Sequence, residues 1–189
     1  MPGENSCVWG VFAMDGYINA HCLFCETGKE KHVVHAIHES KWGKAIFAQR
    51  ARFIRKNKEW ERVNTPLLPG YVFVYAAEVG IPKVDYQRIP HVIRVLTYEN
   101  GINELTGSDL KFADWLWRMN GEIGVIQVIQ VGDRIEVADG TFEGLCGKIL
   151  HVNKRQKKVY VELDTQSIPM HTWLAYEQVE KSVAESNEY

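Results

Sequence analysis

Beginning at Val131, one short segment after another alternates apolar and polar side chains: "RIEVAD", "GKILHVN", "KVYVELD", "IPMHTWL" and "EQVEK". A period of two is the mark of strands that turn one face to a core. Turn signals separate the segments at Asp139-Gly140, at Glu143-Gly144 and over 153–157. Four or five short strands in about 50 residues point to a small β-barrel, expected over 131–181. The polar tail "SVAESNEY" (182–189) has no such pattern and is expected to be disordered.

Upstream the periods are mixed, which predicts a separate α/β unit over 7–118. "AHCLFCE" reads as a strand and 30–42 as a helix, with Val33, Val34 and Ile37 on its apolar stripe. "AIFAQ" reads as a strand. "RARFIRKNKEWERVNTP" reads as two polar arms around Lys56-Asn57-Lys58, a hairpin or a flexible loop. "LLPGYVFVYA" is a Pro-Gly turn followed by strong β-formers, and "HVIRVLTYENG" is a further strand stopped by Asn100-Gly101. "TGSDLKFADWLWRM" predicts a helix capped by Ser108, with Leu110, Ala113, Leu116 and Trp117 as its stripe. Composition changes at Met119, and the two glycines of "NGEIGVIQVIQ" mark 119–130 as a linker.

"HCLFCETGKEKHVVHAIH" (21–38) carries a C-x-x-C pair and four histidines. Zinc requires four ligands converging on one point. In a strand, Cys22 and Cys25 would point to opposite faces, and His32, His35 and His38 would lie on the polar side of the next helix. A thioredoxin-type pair opens a helix, where the N-terminus lowers the thiol pKa; this pair sits in a strand. "ETGKE" lacks the first glycine and the Ser/Thr of a phosphate loop. No metal, cofactor or catalytic residue is therefore expected. Four cysteines in a chain of this size are expected to be free thiols. The start "MPGENSCVWG" has no basic segment followed by a long apolar one, and no apolar run nears the roughly 18 residues of a membrane span, so a signal peptide and a membrane role are not expected.

The net charge is −2, so contact with a polyanion would have to come from a local patch. From Lys41 to Arg62, eight cations face only Glu59 and Glu61, with Phe53 and Trp60 interleaved. Arg50, Arg52, Arg55, Lys56, Lys58 and Trp60 are candidates for phosphate contact and base stacking; a solvated hairpin accounts for them equally well. The same two readings hold for Lys154, Arg155 and Lys157 in "NKRQKK". Tyr71, Phe73 and Tyr75 share one strand face, which is either core or an exposed anchor surface.

Two segments together are distinctive: "TGKE" before a helix followed by "LLPGYVFV" at 67–74, and "VGDRIEVADGTFEGLCGKILHVN" at 131–153. The first resembles the N-terminal domain of the NusG family of transcription elongation factors. The second resembles a KOW motif, with its Gly-Asp, its alternating apolar residues, its Gly-x-Phe-x-Gly-like loop and Gly147 opening the next strand. The resemblance covers about residues 20–180. It implies an α+β chain, an N-terminal α/β domain with a central antiparallel sheet followed by an SH3-like barrel, in the bacterial cytoplasm and without catalysis.

In that family, residues matching Phe24, Leu68, Tyr71 and Phe73 form the pocket for the RNA polymerase clamp helices. The basic hairpin lies near the nontemplate DNA strand, and the KOW domain recruits RNA or a protein. The resemblance thus implies polymerase, a nascent RNA hairpin or the nontemplate strand, and a KOW-bound protein as partners. Thr165, Gln166 and Ser167 stand where the housekeeping factor carries an Ile-Phe-Gly patch for a ribosomal protein or Rho. That departure implies a specialised antiterminator similar to LoaP, with the general elongation factor as the alternative. The family's Trp-Tyr pair falls on Ala20 and His21; an aromatic element lies instead in "VWGVFAM". Either the strand starts at Trp9 with an insertion, or 7–18 are an added strand.

Overall fold

The computed structural model describes residues 17, 19–76, 83–131, 134–137, 141–142, 147–163, 165, 167 and 170–179. The expected added strand at 7–18 (Tyr17 apart), Cys7, Cys146, the turns at Asp139-Gly140 and Glu143-Gly144, Gln166 and the tail lie outside these.

The first sheet takes the order β2-β5-β1-β6, from β1 (Asn19–Cys25), β2 (Lys44–Ile46), β5 (Tyr71–Ala76) and β6 (Val92–Val95). Its pairs are antiparallel, with Leu23 opposite Val72, Cys22 opposite Phe73 and Phe24 opposite Tyr71. Both faces are covered. Leu23, Cys25, Val72 and Val74 pack with Val33 and Ile37 of α1 (Glu30–Ser40) and with Tyr86 of α2 (Lys83–Gln87). On the other side Ala20, Cys22, Phe73 and Tyr75 pack with Phe112, Ala113 and Leu116 of α3 (Gly107–Arg118). This burial on both sides explains why "YVFVYA" is apolar throughout rather than alternating.

The two segments of the first motif are joined directly. The Gly70 N–H donates to the buried Glu30 carboxylate at 2.7 Å, and the Cys25 N–H donates to the Gly70 carbonyl at 2.7 Å. Burial alone would raise the Glu30 carboxyl, but the N–H groups of Gly70, Glu30 and Gly28 outweigh it and hold the pKa below the ordinary value. Gly70 has a φ of 84°, and a Cβ there would lie 2.9 Å from the Cys25 carbonyl oxygen. No other residue fits that approach without strain.

The polar arms form a regular hairpin, β3 (Gln49–Lys56) and β4 (Glu59–Pro66), paired from Gln49↔Pro66 to Lys56↔Glu59. Asn57 and Lys58 both have positive φ, 52° and 72°, the conformation of a two-residue type I′ turn whose twist matches the strands. Thr106, not Ser108, precedes α3; Ser108 is already inside the helix and caps nothing. The buried face of that helix is Phe112, Ala113, Trp115 and Leu116, so Leu110 and Trp117 lie at its margins.

The expected linker at 119–130 is not irregular. It contains β7 (Glu122–Ile123), which pairs with β3, and the start of β8 (Ile126–Val131). Gly121, at a φ of 77°, marks a tight turn, and the following "VIQVIQ" supplies a strand alternation that begins before Val131. The second sheet has the order β10-β11-β12-β8-β9, with β9 (Arg134–Val137), β10 (Gly147–Asn153), β11 (Lys158–Leu163) and β12 (Met170–Gln178). Its inner residues Val159, Val161, Leu163 and Leu174 are continuous with the core around α3. Hydrogen bonds cross between the two halves. Arg50 donates to Thr172 Oγ1 and to the Trp173 carbonyl, Trp115 Nε1 to the Thr141 carbonyl, and the Ser167 N–H to Asp109.

Candidate functional site

The glycine approach at Gly70 shapes the end of the first sheet. Because no Cβ intrudes, the Phe24 ring settles beside the turn and against Tyr71, centroids 5.1 Å apart. The Arg94 guanidinium lies 5.5 Å over Phe24. Phe24, Leu68 and Tyr71 are each half-buried, so a small aromatic and aliphatic surface reaches solvent here. Phe73 does not belong to that surface. It is fully buried, its ring 5.6 Å from Phe112 of α3. Of the open alternatives for the aromatic stripe, core applies to Phe73 and Tyr75, whose hydroxyl donates to the Ala113 carbonyl at 2.7 Å. α3 packs over Phe73 and Tyr75, while Tyr71 at the end of the strand stays half-buried against the margin of the same core.

The hairpin presents two chemically different faces. Cross-strand register places Arg55 with Trp60 and Phe53 with Arg62 on one face. The other face pairs Ile54 with Glu61 and Lys56 with Glu59, and Lys56 also meets Glu61 at 3.7 Å. Arg52, Arg55, Lys56, Lys58 and Trp60 are exposed, Trp60 by 62%. Arg50 is not part of this array. Half-buried at the hairpin root, it spends its donors on Thr172 and on the Trp173 carbonyl. Charge alone could not separate Arg50 from Arg52; only the packing of β12 against β3 does. The sequence places Arg62 and Phe53 in the basic run but does not single them out as members of the cationic aromatic face. The register through the Asn57-Lys58 turn was the signal that could have found them.

Lys154, Arg155 and Lys157 are exposed on the turn between β10 and β11. The Asn153 side-chain carbonyl accepts from the Gln156 N–H at 2.9 Å, and Lys157 takes a φ of 48°. This fixes the turn and leaves its cations to solvent.

The C-x-x-C pair is divided between two cores. Cys22 faces α3 and Cys25 faces α1, and both are free thiols. Burial pushes Cys22 well above the ordinary thiol range and Cys25 up to about 11, which is opposite to what thiolate ligands or nucleophiles need. His21 is buried, its Nδ1 at 2.9 Å from the Asn103 carbonyl, and burial lowers its pKa. His32, His35 and His38 are on the exposed side of α1. Among the described residues, no group of three or more His, Cys, Asp or Glu is placed to hold a metal ion, and no helix is long and apolar enough to cross a membrane.

No family model matches the chain, and no curated protein matches it. Among solved structures, one of domain interaction in Thermotoga maritima NusG superposes with a TM-score of 0.50 at 15% identity. The overlap spans 83% of this chain and 93% of that one. The fold is NusG-like. In that NusG-like frame, the half-buried aromatic end of the first sheet, the two-faced hairpin and the 154–157 turn are three separate surfaces rather than one pocket. None brings an acid, a base and a nucleophile together.

Proposed function

We propose that this chain is a transcription elongation factor of the NusG type, which grips RNA polymerase and acts as a processive antiterminator recruited by nucleic acid. The NusG-like fold carries this reading, and the half-buried Phe24–Leu68–Tyr71 end supports it. In this reading the unit at 7–118 holds the polymerase clamp region through Phe24, Leu68 and Tyr71, with Phe73 as the floor beneath them. Buried aromatic anchors of this kind dominate protein interfaces. The hairpin cations Arg52, Arg55, Lys56 and Lys58, with Trp60, meet the exposed DNA strand or nascent RNA. The KOW-like unit at 131–181, whose first strand reaches back to Ile126, holds the recruiting signal through Lys154, Arg155 and Lys157 or a protein partner.

Such a factor catalyses nothing. It shifts the balance between paused and moving polymerase by its differential affinity for the two states. Two grips on one chain raise each other's effective concentration. The general factor that couples polymerase to Rho or the ribosome is the second reading. The sequence Thr165-Gln166-Ser167, with no Phe where that coupling patch carries one, disfavours it. Ser167 is in addition engaged with Asp109.

The test is in vitro transcription across a terminator with the native leader upstream. Read-through should rise with the protein and fall when the leader is deleted, and Tyr71→Ala should abolish most of the gain while circular dichroism stays unchanged. Equal termination with and without protein removes the antiterminator reading. Clamp-helix binding unaffected by Tyr71→Ala removes this polymerase surface.

A further inference from the structure

In the second sheet β11 alternates inner and outer residues along its whole length, while β10 shifts register between Ile149 and His151. Val152, Val159 and Leu174 form one cross-strand rung of its inner face, and Val161 is paired with Thr172 on the next. The outer face carries rings instead. His151 pairs with Tyr160 and Tyr160 with Trp173 on one rung, and the next rung holds Lys148, Glu162 and His171. The four rings form a continuous row: His151 to Trp173 at 5.7 Å, Trp173 to Tyr160 at 5.1 Å, and Tyr160 to His171 at 6.2 Å. The Lys158 ammonium sits 4.5 Å over the Trp173 ring. His151 and His171 are exposed, and Tyr160 and Trp173 are half-buried.

We propose that this outer face of β10, β11 and β12 is a base-stacking platform for single-stranded nucleic acid, with Tyr160 and Trp173 as the principal rings and Lys158 and the 154–157 turn as phosphate contacts. The proposal rests on the nucleic-acid recruitment proposed above and gives it a site. Two observations choose the occupant. First, Tyr160 and Trp173, tilted by 39° to each other and each partly open to solvent, offer aromatic surface to unpaired bases, and stacking is the interaction that every base can make. Second, the charge is complementary to a polyanion. Over 147–163, Lys148, Lys154, Arg155, Lys157 and Lys158 face one carboxylate, Glu162, in a chain whose net charge is −2. Glu162 is already taken by Lys148 at 2.7 Å and His171 at 2.8 Å, so it presents little uncompensated negative charge. A duplex would not suit the row, because its bases are stacked on each other and their faces are hidden.

The arrangement also has a fixed place relative to the hairpin. Arg50 donates to the backbone carbonyl of Trp173 itself, so the platform strand is anchored at the root of the basic arm.

The experiment uses the full chain and three fluorescein-labelled probes of one mixed 12-nucleotide sequence: single-stranded RNA, single-stranded DNA and the RNA duplex. The single strands should bind at least about tenfold more tightly than the duplex. The double variant Tyr160→Leu/Trp173→Leu should weaken single-strand binding on the order of tenfold or more, with the salt slope unchanged, because it removes stacking and not phosphate contacts. Trp173→Phe should keep most of the affinity. Lys154→Gln/Arg155→Gln/Lys157→Gln should instead flatten the log–log salt slope by about 0.7 for each phosphate lost.

If the double leucine variant binds like the wild type while Arg52→Gln/Arg55→Gln/Lys56→Gln loses affinity, the platform is wrong and hairpin recruitment stands. If no single strand binds the wild-type protein, the platform falls together with nucleic-acid recruitment, and an acidic protein becomes the occupant to seek. A measurement on the unmodified protein guards against a misfolded variant. The Trp173 indole N–H resonance, assigned with Trp173→Phe, should shift when single-stranded RNA is added; a stationary resonance under saturating probe overturns the proposal.

Discussion

Both main sheets of this protein carry aromatics on their strands, and the fates of those aromatics are opposite. In β5, Phe73 and Tyr75 are fully buried beneath α3. In β11 and β12, Tyr160 and Trp173 stand on the solvent side of their sheet. The strands differ little in β propensity. What differs is the cover: the first sheet has helices on both faces, while the second packs one face inward and leaves the other open. An aromatic in a strand is therefore a core residue or a surface residue according to what a distant segment does, here residues 107–118 against no described helix.

Truncation should expose this contrast most strongly. Phe73→Ala removes a ring from between β5 and α3 and should cost about 3–5 kcal/mol in urea denaturation, whereas Trp173→Leu should cost less than about 1 kcal/mol. Equal costs for the two would mean that the outer face of the second sheet is covered after all.

The hairpin repeats the comparison at smaller scale, with Arg50 and Arg52 two residues apart on the same strand face. Arg50→Ala should destabilise by about 2 kcal/mol, through the lost charge-assisted bonds to Thr172 and the Trp173 carbonyl, and should speed amide exchange in β12. Arg52→Ala, on an exposed side chain, should stay within about 0.5 kcal/mol. Nucleic-acid affinity should respond in the reverse order, with Arg52 the more sensitive. A stability loss at Arg52 matching that at Arg50 would show that both arginines serve the packing between the halves.

The smallest effect concerns the edge of α3. Burial pushes the Asp114 carboxyl up to about 6, against the pull of Arg118, and its buried Oδ1 has no hydrogen-bond partner. An unfolded Asp titrates near about 4. The folded state therefore holds its proton more tightly, so the penalty is complete above pH 6 and is relieved as the pH falls from 6 towards 4. His21, buried and lowered, works in the opposite direction over nearby pH values, so the informative quantity is the difference between wild type and variant. Asp114→Asn should be more stable than wild type at pH 7.5, on the order of 1 kcal/mol once screening at this half-exposed group is allowed for, and the difference should shrink as the pH falls below 6 and be largely gone at and below about pH 4. A difference independent of pH would show that Asp114 is not the group responsible.

Much of the architecture was legible in the residues. The alternation of β10 to β12, the helices at 30 and 107 and the turn at Asn57-Lys58 follow from local periodicity and turn chemistry, which neighbours in the chain determine. The opposite facing of Cys22 and Cys25 also follows from a strand's period of two, and it answers the C-x-x-C pattern without reference to tertiary structure. The strands inside 119–130 were not legible. Glycine at 121 and 124 reads as a linker, and β7 exists only because β3 offers it an edge.

The residue types also determined which surfaces could matter: a positive hairpin and turn in a slightly negative chain, and a glycine at 70 that only a close backbone approach requires. Tertiary structure alone decided which members of those sets remain available. Phe73 is lost beneath α3 and Arg50 to β12, while Tyr160 and Trp173 stay on an open face. The physical reason is range. Periodicity and turn preference act over a few residues, whereas burial depends on which element, far along the chain, arrives to exclude the water.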